Sequence, residues 1–196
     1  MRTRDENKEK AIREKAIEMI VEEGLDGFGV NKLAKAAGVS PATIYIYYKD
    51  RDDLIQQLGS SVAHEMMSYS LADFDPEASF AEGLKKQWIN RAHYFIQHPL
   101  SVAFIEQIRY SHYYEEIQNG MKVTFGKVMG QFVTNAIKRK ELKELPFEVF
   151  WAVAYAPLYQ LIKFHTQGES YVNQKFAMTD EIMMQTLQLV LKALKP

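Results

Sequence analysis

The sequence predicts an all-α protein with two domains, and three observations support this fold class. Apolar residues recur every three or four positions through most of the chain, no stretch alternates apolar and polar residues as a strand would, and glycines and prolines separate the periodic segments. About nine helices are expected. Three of them form an N-terminal helix-turn-helix domain over residues 1–52, and the others form a C-terminal domain over residues 53–196.

The composition narrows the class of protein. Hydrophobic residues make up 47% of the 196 residues, which is enough for a folded core, and the absence of cysteine excludes disulfides and thiolate sites. No signal peptide is visible, and the longest nearly apolar stretch, residues 149–162, is too short to span a bilayer. We therefore expect a cytoplasmic protein with no membrane partner.

The first predicted helix covers residues 5–23. Ile12, Ala16 and Ile20 are spaced by four positions and form one apolar face. Gly24 marks the end of this helix, and a short glycine-rich loop leads to the next one.

Residues 30–49 have the pattern of a helix-turn-helix. Ala34 is small where two steeply crossing helices must approach each other, and Gly38 follows where the first helix must stop, because glycine adopts a left-handed conformation without a Cβ clash. Ser40 offers a hydroxyl that can cap the next helix, and Pro41 occupies its first turn, where no backbone N–H is needed.

The second helix of this motif, residues 41–48, is predicted to be the recognition helix. It presents several hydroxyl groups and a cation over a short length, at Thr43, Tyr45, Tyr47, Tyr48 and Lys49. A DNA major groove, which is lined by phosphates, accepts such a helix. The plain alternative is a helical corner without this role.

The segment over residues 8–55 resembles the DNA-binding domain of TetR-family transcriptional regulators. The residues that carry the resemblance are Ala34-Lys35-Ala36-Ala37-Gly38-Val39-Ser40, Thr43-Ile44-Tyr45, Tyr47-Tyr48-Lys49 and Asp53-Leu54. The rest of the chain matches this family only in length and helical pattern. The resemblance implies a homodimer that binds a palindromic operator in double-stranded DNA and acts as a repressor relieved by a small-molecule ligand.

The expected DNA contacts form two groups. The residues expected to face base edges or the thymine methyl are Pro41, Ala42, Thr43 and Tyr45. The residues to which the resemblance assigns phosphate contacts are Ser40, Thr43, Tyr47, Tyr48 and Lys49. Because the recognition helix lacks Arg, Asn and Gln, we expect specificity to depend on apolar contacts, on Asn31 or Lys32, and on DNA shape.

Two features depart from what a DNA-binding domain usually shows. The family usually has a threonine or serine near position 29 that touches a phosphate, and this chain has Gly29 there. The first 55 residues contain ten Lys or Arg against eleven Asp or Glu, so DNA binding requires cations to be gathered on one surface. The expected cations are Arg2, Arg4, Lys8, Lys49 and Arg51.

Six further helices are predicted after the recognition helix. The first of them is long, has an apolar face with a spacing of four residues, and is expected to link the two domains. His98-Pro99 interrupts the periodic pattern, because proline does not continue a helix. The predicted ranges are 50–69, 77–97, 100–110, 113–139, 147–167 and 179–194.

Aromatic residues with polar neighbours are dense between residues 77 and 167. Pockets for small organic ligands are mostly apolar with a few placed polar groups, so this composition indicates a site for a small apolar or aromatic effector. The predicted ligand-binding residues are Trp88, Tyr94, Phe95, Phe104, Arg109, His112, Tyr113, Phe125, Tyr155 and Tyr159. The alternative is that these aromatic side chains only fill a helical core.

The last two predicted helices have broad apolar stripes that are suited to dimerisation. Two such helices from each of two chains would form a four-helix bundle. The residues expected at this interface are Phe147, Trp151, Leu158, Met183, Leu187 and Leu191. The alternative is that both stripes pack inside one chain.

No group of residues indicates catalysis. The glycines do not form a phosphate-binding loop after a strand, the five histidines lack metal-ligand spacing, and no serine has the context of a nucleophile. We therefore expect no enzymatic activity, no cofactor and no metal. Two rival functions stay open: a DNA-binding dimer without a ligand, and a small helical enzyme that uses the aromatic region.

Overall fold

A computed structural model describes residues 5–172 and 174–196, without the side chains of residues 121–124. Within these ranges the chain forms ten α-helices and no strand, so the predicted all-α fold class is confirmed. The helices are α1 (Glu6–Gly27), α2 (Val30–Ala36), α3 (Pro41–Tyr47), α4 (Arg51–Ser70), α5 (Phe80–Gln97), α6 (Pro99–Arg109), α7 (Tyr114–Lys138), α8 (Phe147–Ala154), α9 (Ala156–Gln167) and α10 (Asp180–Leu194). The predicted cations Arg2 and Arg4 lie outside the described residues.

The chain divides into two compact units, and neither is a continuous segment. Unit 1 comprises Met1–Glu65 and His98–Lys122, and unit 2 comprises Met66–Gln97 and Val123–Pro196. Unit 1 therefore contains the helix-turn-helix together with α6 and the start of α7, because α6 packs against α1. The predicted domain boundary after residue 52 stays a prediction.

Unit 1 is built around one apolar core. The apolar face predicted for α1 is buried, with Ile12 and Ile20 fully enclosed, and α6 adds Phe104 to the same cluster. Gly24 interrupts α1 with a φ of 75° and a ψ of 171°, at the position where the sequence predicted the end of this helix. The short helical turn after Gly24 brings the chain to α2.

Unit 2 has its own core, formed by the second part of α7 and by α5, α8, α9 and α10. Trp88 is fully buried in this core, and its indole nitrogen donates a hydrogen bond to the Ala154 carbonyl at 2.8 Å. Gly83 allows α5 and α7 to approach closely, because an added Cβ there would lie 2.3 Å from the Phe132 ring.

The structure corrects the predicted helix over residues 147–167, which consists of the two helices α8 and α9. Tyr155 lies between them with a φ of −124° and a ψ of −31°. Pro157 follows in the first turn of α9, and it has no N–H for the Val153 carbonyl. This break raises the helix count in the described ranges from the expected nine to ten.

None of the helices in the described part of the chain has both the length and the apolar character that crossing a membrane requires.

Candidate functional site

The turn between α2 and α3 has the geometry that the sequence predicted. Gly38 adopts a left-handed conformation with a φ of 65°, and the amide of Val39 donates to the Ala34 carbonyl at 2.9 Å, which closes the end of α2. The Ser40 hydroxyl caps α3 by accepting from the Thr43 amide at 3.2 Å. These contacts fix the angle at which α3 leaves the turn.

The outer face of α3 is exposed and carries few hydrogen-bonding groups. Pro41 and Ala42 are exposed, and 53% of the Tyr45 surface is accessible. Thr43 is half-buried, and its hydroxyl lies 2.9 Å from that of Ser40. The structure thus brings the four residues expected to face the bases onto one short helix, and their base contacts stay predictions.

Tyr47 and Tyr48 occupy a different environment from the one expected for phosphate contacts. Their exposed fractions are 5% and 4%, and both belong to the core of unit 1. The Tyr47 hydroxyl accepts from the Asp5 amide at 2.9 Å and donates to the Asp5 carbonyl at 3.0 Å. Since its only hydrogen is already donated, a phosphate contact by this hydroxyl requires the bond to Asp5 to break.

The cations around the turn differ in how they are paired. Lys32 is exposed, but its ammonium group contacts the Glu23 carboxylate at 2.8 Å. Among the residues that the structure describes, Lys35 in α2 and Lys49 after α3 take part in no ion pair. Lys35 was not among the predicted contacts, although its place two positions after the buried Leu33 puts it on the exposed side of α2.

Lys49 also helps to fix the start of α4. Its backbone amide donates to the Asp53 carboxylate at 2.8 Å, and the Gln57 amide donates to the same carboxylate at 2.9 Å. The hydrogen bond from Gln57, together with that from Lys49, holds the pKa of Asp53 below its ordinary value. By contrast, Gly29 gives α2 no side-chain cap.

Arg51, the first residue of α4, joins three segments of unit 1. Its guanidinium donates to the Leu25 carbonyl, to the Phe28 carbonyl at 3.2 Å and to the Tyr113 hydroxyl at 3.2 Å. It also forms an ion pair with Asp52, whose carboxylate accepts from the Tyr113 hydroxyl at 2.6 Å. The hydrogen bond from Tyr113 is the main reason that the pKa of Asp52 lies below its ordinary value.

The predicted ligand-binding residues divide between the two units. In unit 1, Phe104 is fully buried, Arg109 is exposed and paired with Glu106 at 3.1 Å, and His112 and Tyr113 line a surface groove of about 560 Å³ beside Arg51. The other six lie in unit 2: Trp88, Tyr94, Phe95, Phe125, Tyr155 and Tyr159. Whether any of these residues binds a ligand stays a prediction.

A buried arginine lies among the aromatic residues of unit 2, and sequence reasoning missed it. Arg91 is 5% exposed, its Nε donates to the Gln87 side chain at 3.2 Å, and its Nη1 donates to the Tyr159 hydroxyl at 2.7 Å. Its guanidinium carbon lies 5.5 Å from the ring centres of Phe125 and Trp151. The only local sign was that Arg91 follows Gln87 and Trp88 at helical spacing on the buried face of α5.

Tyr155 completes this cluster. Its side chain is fully buried, and its ring centre lies 4.8 Å from the Arg91 guanidinium carbon. Burial raises the pKa of Tyr155 to about 12, so its hydroxyl keeps its hydrogen at any physiological pH. Within the described residues, neither this hydroxyl nor the Nη2 nitrogen of Arg91 has a hydrogen-bond partner.

The residues predicted for the dimer interface do not all lie at the surface. Leu158, Met183 and Leu187 are buried within unit 2, so the alternative in which the stripes pack inside the chain describes these three. The remaining three residues are accessible: Phe147 has an exposed fraction of 66%, and Trp151 and Leu191 are half-buried. Dimerisation through these helices stays a prediction.

Comparison with known proteins gives a family for the N-terminal part of the chain. Residues 12–58 match the family described as bacterial regulatory proteins, tetR family. An uncharacterized HTH-type transcriptional regulator of Haemophilus influenzae is 31% identical over 101 residues, which are 52% of this chain and 51% of that protein. A fatty acid metabolism regulator protein of Bacillus subtilis is 33% identical over 73 residues, which are 37% of this chain and 38% of that protein. The chain thus spans about half the length, or less, of these curated relatives.

Solved structures extend the similarity to the whole chain. A TetR family transcription regulator from Marinobacter aquaeolei is 27% identical, with a TM-score of 0.85 over 100% of this chain and 99% of that chain. A TetR-family transcriptional regulator from Haemophilus influenzae has a TM-score of 0.79 at 22% identity, over 97% of this chain and 98% of that chain, and this likeness shows the fold alone. These relatives and solved structures are all named as regulators.

Proposed function

The chain belongs to the TetR family of bacterial transcriptional regulators, and we propose that it is a homodimeric repressor that binds a palindromic operator in double-stranded DNA. The observation that carries this proposal is the exposed face of α3, which the left-handed turn at Gly38 and the Ser40 cap hold at a fixed angle. A helix presented in this way fits the major groove. A repressor of this kind acts in the cytoplasm, where bacterial DNA lies.

The proposed contacts separate affinity from specificity. Lys35 and Lys49, which are free of ion pairs within the described residues, provide phosphate contacts together with Ser40. Lys32 can join them at the small cost of an exposed ion pair with Glu23. Because α3 carries no Arg, Asn or Gln, base reading rests on Tyr45, on apolar contacts and on the shape of the operator.

The proposed dimer face lies on α8 and α10. Phe147 and Val149 on α8 and Leu189 on α10 are large apolar side chains with exposed fractions of 66%, 45% and 62%. A two-fold pair of chains would cover them and would set the two recognition helices about one helical turn of DNA apart. The buried Leu158, Met183 and Leu187 would support this face from beneath.

The dimer proposal is tested by the mass of the protein in solution. We expect Phe147→Glu to shift the wild-type dimer toward monomer in light scattering, because two charges would be buried at the interface. The matched control is Tyr171→Glu, which changes a side chain that is 89% exposed in a loop. A wild-type monomer at micromolar concentration, or an unchanged dimer in Phe147→Glu, would contradict the proposed face.

The proposed regulation is release of the operator by a small molecule bound in unit 2. A ligand can release DNA only if it prefers the conformation that does not bind DNA, and a coupling of about 1–3 kcal/mol is typical. The buried Arg91 cluster favours this proposal over a regulator without a ligand, since a domain that served only dimerisation would not need a buried cation there.

The operator is found by capturing genomic fragments with the purified protein and then measuring a gel shift at two salt concentrations. We expect a palindromic site whose affinity falls with salt, and we expect Tyr45→Ala to weaken binding by at least about tenfold through lost base contacts. Tyr171→Ala, another exposed tyrosine change, should leave the affinity unchanged. Equal operator affinities for Tyr45→Ala and wild type would refute the proposed role of α3.

A further inference from the structure

Arg91 is a buried cation whose hydrogen-bond partners are both neutral. Nε donates to the Gln87 oxygen at 3.2 Å and Nη1 donates to the Tyr159 hydroxyl at 2.7 Å. The Gln87 nitrogen in turn donates to the Ser70 carbonyl at 2.6 Å, which holds its oxygen toward Arg91. Among the residues that the structure describes, no carboxylate forms an ion pair with Arg91. Arginine keeps its charge in proteins, so this site holds a positive charge that no anion of the described chain balances.

Two hydrogen-bond donors in the cluster also lack acceptors within the described residues. They are the Nη2 nitrogen of Arg91 and the hydroxyl of Tyr155, both shielded from solvent. Buried donors without acceptors are rare and costly, and they are tolerated where a bound group supplies the acceptors. Because the guanidinium lies over the Tyr155 ring, both donors belong to one small region of unit 2.

The surroundings of Arg91 are aromatic. Phe125, Trp151 and Tyr155 lie within 5.5 Å of its guanidinium carbon, measured to the ring centres. Their faces stabilise the charge in part through cation–π interaction, but a ring provides no acceptor for Nη2. Phe125, Trp151 and Tyr159 are only half-buried, so rotation of these side chains would open a path from solvent to the guanidinium.

We propose that this cluster is the effector site and that the effector is an organic carboxylate with an apolar body. One carboxylate oxygen accepts from Nη2 of Arg91 and the other from the Tyr155 hydroxyl, while the apolar part lies against Phe125 and Trp151. A carboxylate balances the charge of the guanidinium, and a charge-assisted hydrogen bond inside an aromatic site discriminates strongly against a neutral analogue. This inference rests on the proposed regulation by a ligand in unit 2 and names the chemical class of that ligand.

The two tryptophans of the chain make the site directly observable. The Trp151 ring centre lies 5.5 Å from the Arg91 guanidinium carbon, and Trp88 lies in the core of the same unit, so their fluorescence reports a group that enters the Arg91 cluster. The probes are phenylacetate and octanoate, each compared with its neutral amide, phenylacetamide or octanamide. We expect saturable fluorescence changes with at least one carboxylate and binding of its amide that is at least about tenfold weaker. Equal binding of acid and amide, or no saturable change up to about 10 mM, overturns the inference.

Variants test whether Arg91 itself selects the carboxylate. Arg91→Met should bind acid and amide equally, and Tyr155→Phe should retain part of the preference for the acid. The control is Arg139→Met, which removes another arginine of unit 2 and should leave the preference intact. The Arg139 guanidinium donates to the Glu141 carboxylate and to the carbonyls of Glu77 and Ala78. Circular dichroism shows whether each variant is folded, and if Arg91→Met does not fold, the neutral variant Arg91→Gln and Tyr155→Phe decide the result. Unchanged preference in the folded Arg91 variant overturns the inference.

The same proteins separate this inference from the proposed function. A gel shift without any probe measures operator binding alone. Operator binding without carboxylate binding refutes the inference and leaves the DNA-binding role standing. Carboxylate binding without operator binding supports the site and refutes the role in DNA binding.

Discussion

Each of the two units places an arginine beside a tyrosine, and the two pairs have opposite hydrogen-bond environments. In unit 1, Arg51 donates to two backbone carbonyls and to the Tyr113 hydroxyl, and Tyr113 donates to the Asp52 carboxylate. In unit 2, Arg91 has only neutral partners, and both its Nη2 and the Tyr155 hydroxyl lack acceptors within the described residues. The hydrogen bonds of the first pair are complete, whereas the second pair has two donors that are free for the ligand that we propose.

The largest difference is expected when each arginine is replaced by methionine. Arg51→Met should lower the free energy of unfolding by about 2–3 kcal/mol, because two carbonyls and a tyrosine lose a donor and Asp52 loses its ion pair. Arg91→Met should lower it by no more than about 1 kcal/mol, because the lost hydrogen bonds to Gln87 and Tyr159 are offset by removal of a buried charge that lacks an anion.

Urea unfolding followed by circular dichroism measures this contrast. Tryptophan fluorescence follows unit 2 separately, since Trp88 and Trp151 both lie there. Lys10→Met, which removes an exposed cation from a 3.9 Å pair with Glu14, is the control and should change stability by less than about 0.5 kcal/mol. Destabilisation of similar size by both arginine variants would remove the distinction between the two pairs.

The tyrosines should repeat the contrast on a smaller scale. Tyr113→Phe is expected to cost about 1–2 kcal/mol, because its hydroxyl joins Asp52 to Arg51. Tyr155→Phe removes a buried hydroxyl without a hydrogen-bond partner in the described chain, so stability should stay within about 0.5 kcal/mol of wild type or rise. The same unfolding experiment checks both variants. An equal loss of unfolding free energy in Tyr155→Phe and Tyr113→Phe would show that the Tyr155 hydroxyl has a hydrogen-bond partner in solution.

The smallest expected effect is a difference in acid sensitivity. The Tyr113 hydroxyl, and after it Arg51, hold the pKa of Asp52 below its ordinary value of 3.8. A lowered pKa in the folded state means that the contribution to stability is complete above pH 3.8 and is lost as the pH falls through the folded-state value. Asp52→Asn should therefore lose less stability than wild type between about pH 5 and pH 3.

Urea midpoints across this range test the prediction. Asp5 and Asp53 also have lowered pKa values, so the variant should retain part of the acid sensitivity. Tyr113→Phe should resemble Asp52→Asn in slope, because it removes the hydrogen bond that lowers the pKa most. Identical pH dependence of stability in Asp52→Asn and wild type would show that the hydrogen bond from Tyr113 to Asp52 does not form in solution.

Sequence reasoning succeeded where the signal was local. The left-handed Gly38, the Ser40 cap and the apolar face of α1 each depend on a few neighbouring residues, and the structure confirms all three. Periodicity also predicted most of the helices correctly. It wrongly predicted one helix over residues 147–167, because the apolar spacing continues on both sides of the break before Pro157.

The candidate sites depend on contacts between distant residues, which a single sequence does not reveal. Tyr47 is an aromatic residue with a hydroxyl in a short exposed helix, and only the packing against Asp5 shows that this hydroxyl is occupied. Likewise, Arg91 looks like any polar residue of an amphipathic helix until Tyr159, 68 positions later, is seen to be its partner. The aromatic residues divided between the units because α6 packs with α1, a pairing that no local pattern indicated.

The double hydrogen bond between Tyr47 and Asp5 has a consequence for observing the recognition helix in motion. The Asp5 amide precedes α1 and donates to no helical carbonyl, but it donates to a side chain at the last residue of α3. Its exchange with deuterated solvent therefore proceeds only when the end of α3 separates from the start of α1. The exchange rate of this one amide proton therefore reports how often the end of the recognition helix separates from α1. Nuclear magnetic resonance can measure this rate in the free protein and again after DNA is added.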